Sequence, residues 1–183
     1  MGLPRLVLVA SAALALGVGA GAAAVVLVGE DEAGEPATAS TAPAEPVSGS
    51  PVRLAGTDVR SGEPVRLRSL TGEPVVLVVW ASWCRACPGQ AEPLRKLAAS
   101  RERPEVLTVA TQDDEAAARR FVEGSGVDVP TIADPDGRVA ARLGVRELPT
   151  TFFLTGEHRV ASVWEGQAGR GRLRAGLEAA KEG

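Results

Sequence analysis

The chain has 183 residues, 45% of them apolar and 23% charged, with a formal net charge of −3. That length holds one ordinary domain plus accessory segments, since compact domains commonly need about 100–150 residues, and it argues against two full ones. Charge is unevenly spread: residues 29–50 carry five acids and no base, while residues 51–183 carry 19 bases against 18 acids. With neither a basic block nor an aromatic platform, nothing in the pattern supports a nucleic-acid partner.

Residues 6–28 form a run of 23 without a charge, enough for a helix to cross roughly 30 Å of hydrocarbon. Arg5 precedes it and Glu30, Asp31 and Glu32 come after it, which predicts an N-in, C-out orientation. The run is read as a signal anchor in the cytoplasmic membrane, the alternative being a cleaved signal peptide, and both readings export the rest of the chain. No cysteine stands directly after it to carry a lipid. Residues 29–50 mix Pro, Ala, Ser, Thr and acids without periodicity, a composition that cannot bury enough apolar surface to offset chain entropy. They are read as a disordered tether, and residues 51–183 as the folded domain.

Within that domain, strand and helix signals alternate. Residues 52–54 and 65–67 read as short strands flanking the turn Ser61-Gly62-Glu63-Pro64. Val75-Val76-Leu77-Val78-Val79-Trp80 is a continuous apolar run, as expected of a strand buried on both faces. A helix is predicted up to about Ser100, a second central strand over 105–110, and a helix from Asp113-Asp114-Glu115 to about Glu123. A short strand over 129–133, the turn Asp134-Pro135-Asp136-Gly137 and a short helix over 138–143 come next. Residues 150–154 and 159–164 are expected to pair as a hairpin around Thr155-Gly156-Glu157-His158. Leu173, Leu177 and Ala180 then stripe a terminal helix. The order ββ-β-α-β-α-β-α-β-β-α predicts an α/β fold, with a mixed central sheet flanked by helices on both faces and an N-terminal β-hairpin extension.

Cys84 and Cys87 are the only cysteines, two residues apart, directly after the buried strand and at the expected start of a helix. Unpaired N–H groups and the positive end of the helix dipole there favour thiolate over thiol. They can lower a cysteine pKa from about 8.5 toward roughly 3.5–7.5. Cys84, on the solvent side and next to Arg85, is the expected nucleophile. Cys87, one turn further in, is the expected resolving thiol. A purely structural disulfide closing so short a loop removes little chain entropy. A zinc site needs about four ligands, whereas the chain holds two cysteines and one histidine in total, so neither a metal nor a cofactor is expected. A copper-binding assembly factor using Cys84, Cys87 and His158 is the rival from another class. His158, in a predicted hairpin turn, is expected instead to be a surface residue.

Trp80-Ala81-Ser82-Trp83-Cys84-Arg85-Ala86-Cys87, with Asp134-Pro135-Asp136-Gly137 and Glu147-Leu148-Pro149-Thr150-Thr151-Phe152, resembles the TlpA/ResA-like family of membrane-anchored thiol-disulfide oxidoreductases, and the resemblance covers residues 51–183. It implies a thioredoxin-like fold and a cis peptide bond at Leu148-Pro149. It places Pro149 beside Cys84, with the Leu148 backbone offered to an extended substrate segment as an added strand. It also implies disulfide-containing exported proteins as substrates, apocytochrome c among them, and a membrane electron donor or acceptor for the dithiol. Trp83 is expected to be exposed for substrate docking, and Trp80 to be core. A disulfide-donating oxidase of the same fold is the alternative direction.

The sequence departs from that family in ways that touch the chemistry. Ala86 stands where a proline is usual, so Arg85 and Ala86 are the residues expected to tune the dithiol. Gln90 replaces a common acid, and Val78 replaces the buried aspartate of thioredoxins proper. Glu92 and Glu147 remain as candidate proton relays. Pro88, Gly89 and Pro93 predict a locally irregular helix behind the motif.

Overall fold

The computed structural model describes residues 50–70, 72–100 and 104–183. The expected membrane span at 6–28 and the tether at 29–50, apart from Ser50, lie outside them. Among the described residues no helix is long and apolar enough to cross a membrane.

Strand β1 (Ala55–Thr57) pairs antiparallel with β2 (Pro64–Arg66), Gly56 facing Val65. The hairpin is present, but its first strand starts three residues later than the apolar pattern suggested. Leu54 and Leu67 are not strand residues: they turn inward into the core, joined by a bond from the Leu67 N–H to the Leu54 carbonyl at 2.9 Å. Leu67 opens a 3-10 turn, Leu67–Ser69. Asp58 shapes the bend, its carboxylate accepting from Arg60 N, Ser61 N and Ser61 Oγ, and it also takes the Thr131 N–H at 2.7 Å.

The main sheet comprises β3 (Val75–Trp80), β4 (Glu105–Thr111), β5 (Thr131–Asp134), β6 (Thr150–Leu154) and β7 (Val160–Glu165). Their order is β5-β4-β3-β6-β7, with β3, β4 and β5 mutually parallel and β6 and β7 antiparallel. Every residue of β3 is buried, because alternate side chains feed two cores. Val76, Val78 and Trp80 face helices α1 (Pro88–Ala98), α2 (Glu115–Ser125) and α4 (Arg170–Glu182), which supply Leu94, Ala118, Val122, Leu173 and Leu177. Val75, Leu77 and Val79 face Phe152, Leu154 and the short helix α3 (Arg138–Arg142). Each fully buried valine or leucine stabilises the sheet by about 1.5–3 kcal/mol relative to exposure.

Two helix starts differ from expectation. Helix α2 is capped by Asp114, whose carboxylate accepts from Ala117 N at 3.0 Å, leaving Asp113 to bond elsewhere. Helix α1 begins at Pro88 with Cys87 as its N-cap, and it runs unbroken through Pro93, not as the irregular helix anticipated. Proline at the first position loses a donor that has no partner there anyway.

Candidate active site

Parallel pairing sets Trp80 of β3 against Ala110 of β4, and antiparallel pairing sets Val79 against Thr150 of β6. The segments leaving β3 and β4 and the segment entering β6 therefore meet at one end of the sheet. Cys84 lies in the turn leaving β3, and Cys87 closes that turn with its N–H on the Cys84 carbonyl at 3.1 Å. The two are joined as a disulfide with Cα atoms 5.4 Å apart.

Cys84 thus stands one turn before helix α1, where the sequence pattern had put it inside the first helical turn. It is also buried, contrary to the expectation of a solvent-facing sulfur. At 7% exposure against 2% for Cys87, it is still the more accessible of the pair. Arg85 is exposed beside it, and Ala86 is half-buried against the core that holds both cysteines. Trp83 is 58% exposed, and its indole N–H donates to the Gln112 carbonyl at 2.9 Å. Trp80 is core, stacked on Phe121 with ring centroids 4.5 Å apart.

The Leu148-Pro149 peptide is cis. Register places Pro149 opposite the end of β3, at the exit leading to Cys84, and half-buried Leu148 packs on the cluster that contains the cysteines. The Pro149 carbonyl is taken by Gly166 N at 2.8 Å. Among the described residues, no hydrogen bond engages the backbone N–H or carbonyl of Leu148.

Three side chains that sequence reasoning missed hold this end of the sheet together. Asp113 was read as a helix-start acid. It is instead buried and accepts both the N–H and the hydroxyl of Ser82, the latter at 2.7 Å, which fixes the segment entering Trp83-Cys84. Gln90, buried at the position where an acid was sought, is fully used: its Oε1 accepts from Ala168 N at 2.7 Å and its Nε2 donates to the Ala168 carbonyl at 3.2 Å. Gln167 sends its Nε2 to the Ala86 carbonyl at 2.6 Å. The usable signals were the first acid of Asp113-Asp114, at a strand exit, and a glycine, Gly89, two residues behind the motif.

The candidate proton relays are both on the surface. Glu92 is paired with Lys96, whose hydrogen bond and charge hold its carboxyl below the ordinary value. Glu147 is exposed. His158 overturns the surface expectation: it is buried, adopts φ 62°, and places Nε2 2.8 Å from the Leu70 carbonyl. It lies beyond β6, whose Leu154 pairs with Val75 at the far end of β3. The length of a six-residue strand, roughly 20 Å, separates it from the cysteines, so the three cannot share one copper ion.

The model of the family described as AhpC/TSA matches residues 41–163. The chain belongs to the AhpC/TSA family. Among AhpC/TSA relatives, the thiol-disulfide oxidoreductase ResA of Halalkalibacterium halodurans is 29% identical over 107 residues, covering 57% of this chain and 61% of that protein. The soluble secreted antigen MPT53 of Mycobacterium tuberculosis is 33% identical over 93 residues, covering 51% of this chain and 54% of that protein. The chain therefore spans less than two thirds of the length of these curated relatives. A secreted Mycobacterium tuberculosis disulfide oxidoreductase, described as homologous to E. coli DsbE, superposes with a TM-score of 0.62 at 26% identity, covering 69% of this chain and 95% of that one. The fold of this AhpC/TSA chain is thus thioredoxin-like.

Proposed function

We propose that the protein is an extracytoplasmic thiol-disulfide oxidoreductase that reduces disulfides in exported proteins, apocytochrome c being the candidate the family resemblance implies. The observation that carries this reading is the bonded Cys84–Cys87 pair at the end of β3, flanked by exposed Trp83 and by the unengaged backbone of Leu148. In the reduced protein, the Cys84 thiolate attacks one sulfur of a substrate disulfide. That bond breaks, one substrate thiolate leaves, and Cys84 is held in a mixed disulfide. The Cys87 thiolate then attacks Cys84 Sγ and expels the second substrate thiolate. Two electrons pass to the substrate, water protonates the leaving thiolates, and the Cys84–Cys87 disulfide remains. A membrane dithiol donor returns two electrons to restart the cycle. Trp83 and the Leu148 backbone receive the substrate as an extended segment. Residues 6–28 hold the domain at the membrane, or direct its secretion if cleaved, and the names of the secreted relatives support export.

Insulin reduction by the full chain tests the reading. Cys87→Ser should accumulate a mixed disulfide with substrate and Cys84→Ser should not; the opposite pattern overturns the assignment of roles. Direction is read from the redox potential. A value near about −270 mV supports a reductase, and one near about −120 mV supports the disulfide-donating alternative.

A further inference from the structure

We propose that Gln167 is a positioning residue for the dithiol turn and sets part of its redox potential, an inference that rests on the oxidoreductase reading. The turn Cys84-Arg85-Ala86-Cys87 has few internal restraints, mainly the Cys84 N–H on the Ala81 carbonyl at 3.2 Å and the Cys87 N–H on the Cys84 carbonyl. The Ala86 carbonyl, in the residue just before Cys87, receives the Gly89 N–H at 3.2 Å and, from 81 residues away, the Gln167 amide at 2.6 Å.

A second observation supports the contact. A Cβ on Gly89 would lie 2.6 Å from Gln167 Nε2 and Oε1 and 2.7 Å from its Cδ. The absence of a side chain at Gly89 is thus what lets the amide reach the turn. Gln167 itself is held on both sides. Its carbonyl accepts the Trp164 indole N–H at 3.1 Å, Trp164 is covered by the Arg172 guanidinium 3.6 Å from its ring centroid, and the neighbouring Ala168 is pinned by both ends of the Gln90 amide. Gly166, just before it, binds the Pro149 carbonyl. The segment 166–168 therefore ties the dithiol turn to the cis-proline segment. With its backbone fixed, Gln167 orders only a few side-chain torsions to make its bond, so the bond keeps its strength despite its exposed setting.

A clamp made in the disulfide form pre-organises the closed turn and favours it over the open dithiol. Gln167→Ala should shift the equilibrium constant with glutathione roughly fivefold toward the dithiol, about 20 mV in potential. Gly89→Ala, which displaces the same amide, should give the same shift, and the double variant should shift no further. Denaturant unfolding of both redox forms separates this role from a merely structural one. Loss of a clamp on the turn destabilises the oxidised form more than the reduced form, whereas loss of general packing lowers both alike and leaves the potential in place. A glutathione equilibrium constant for Gln167→Ala within twofold of the wild-type value, or independent addition of the two substitutions, overturns the proposal. Because the glutathione equilibrium needs no substrate, failure of the wild-type protein to reduce insulin would count against the oxidoreductase reading alone.

Discussion

Ser82 and Asp113 lie 31 positions apart, yet one carboxylate fixes the approach to Cys84 by accepting two donors of Ser82. Removing that acceptor leaves a backbone N–H and a hydroxyl without their partner in a partly buried setting, and bonds to a charged acceptor are among the stronger ones. Asp113→Ala should lower stability by about 2–3 kcal/mol in urea unfolding and slow insulin reduction, because the segment holding Cys84 loosens. Ser82→Ala, which gives up the hydroxyl bond alone, should cost about 1 kcal/mol. A loss for Asp113→Ala no larger than for Ser82→Ala would show that the backbone bond contributes little. The contrast marks what could be read at this scale without a structure. Cys84, Cys87, Trp83 and the cis bond at Leu148-Pro149 sit in contiguous motifs and were legible from them. Asp113, Gln90 and Gln167 act through side-chain bonds to residues 31 to 81 positions away, and no local pattern encodes such a reach. His158 was misjudged because a hairpin turn is usually exposed, whereas this one folds back so that its histidine meets Leu70 and its carbonyl receives Val52 N at 2.8 Å.

At the scale of elements, apolar runs located the sheet well, since a strand such as β3 that is buried on both faces has little else it can be. Short elements were displaced where pairing rather than hydrophobicity sets the ends: Ala55-Gly56-Thr57 carries no apolar signal, and its strand exists because it faces β2. Asp58 fastens that hairpin to β5. Its burial raises the carboxyl pKa, but bonds from Ser61, Thr131 and Arg60 together outweigh it, so the group stays below its ordinary 3.8. A carboxyl depressed on folding contributes stability that is fully present above the unfolded value and is lost as pH falls through the lower folded value. Wild type should therefore exceed Asp58→Asn in stability at neutral pH, with the gap closing below about pH 4; a gap independent of pH would refute the charge-based account. Helix α4 supplies a second test. A Cβ on Gly176 would collide with the Phe153 ring, so Gly176→Ala gains roughly 1 kcal/mol of helix propensity yet overpacks the core by about 1–3 kcal/mol. Net destabilisation in thermal unfolding is the expected outcome, and net stabilisation would mean that the ring moves aside freely.

For the molecule as a whole, the described residues begin at Ser50, and how much of their first stretch the fold needs is a physical question. Val52 and Leu54 answer it. Val52 donates its N–H to the His158 carbonyl, and Leu54, only 6% exposed, fills the core beneath α3 while its carbonyl receives Leu67 N. A chain beginning at Ser50 keeps all of these contacts. It should match the full-length protein within about 0.5 kcal/mol in denaturant and reduce insulin at the same rate. A chain beginning at Ala55 still contains β1, both cysteines and the whole five-stranded sheet, but it loses the Leu54 side chain from a packed site together with two backbone bonds. Deleting a buried leucine side chain alone costs about 2–5 kcal/mol. Because the lost contacts lie at the His158 end of the sheet, opposite Cys84, the shorter chain should retain the wild-type redox potential in whatever fraction stays folded. Equal stability of the two truncations would place the domain boundary at β1, and a changed potential would mean that the two ends of the sheet are coupled.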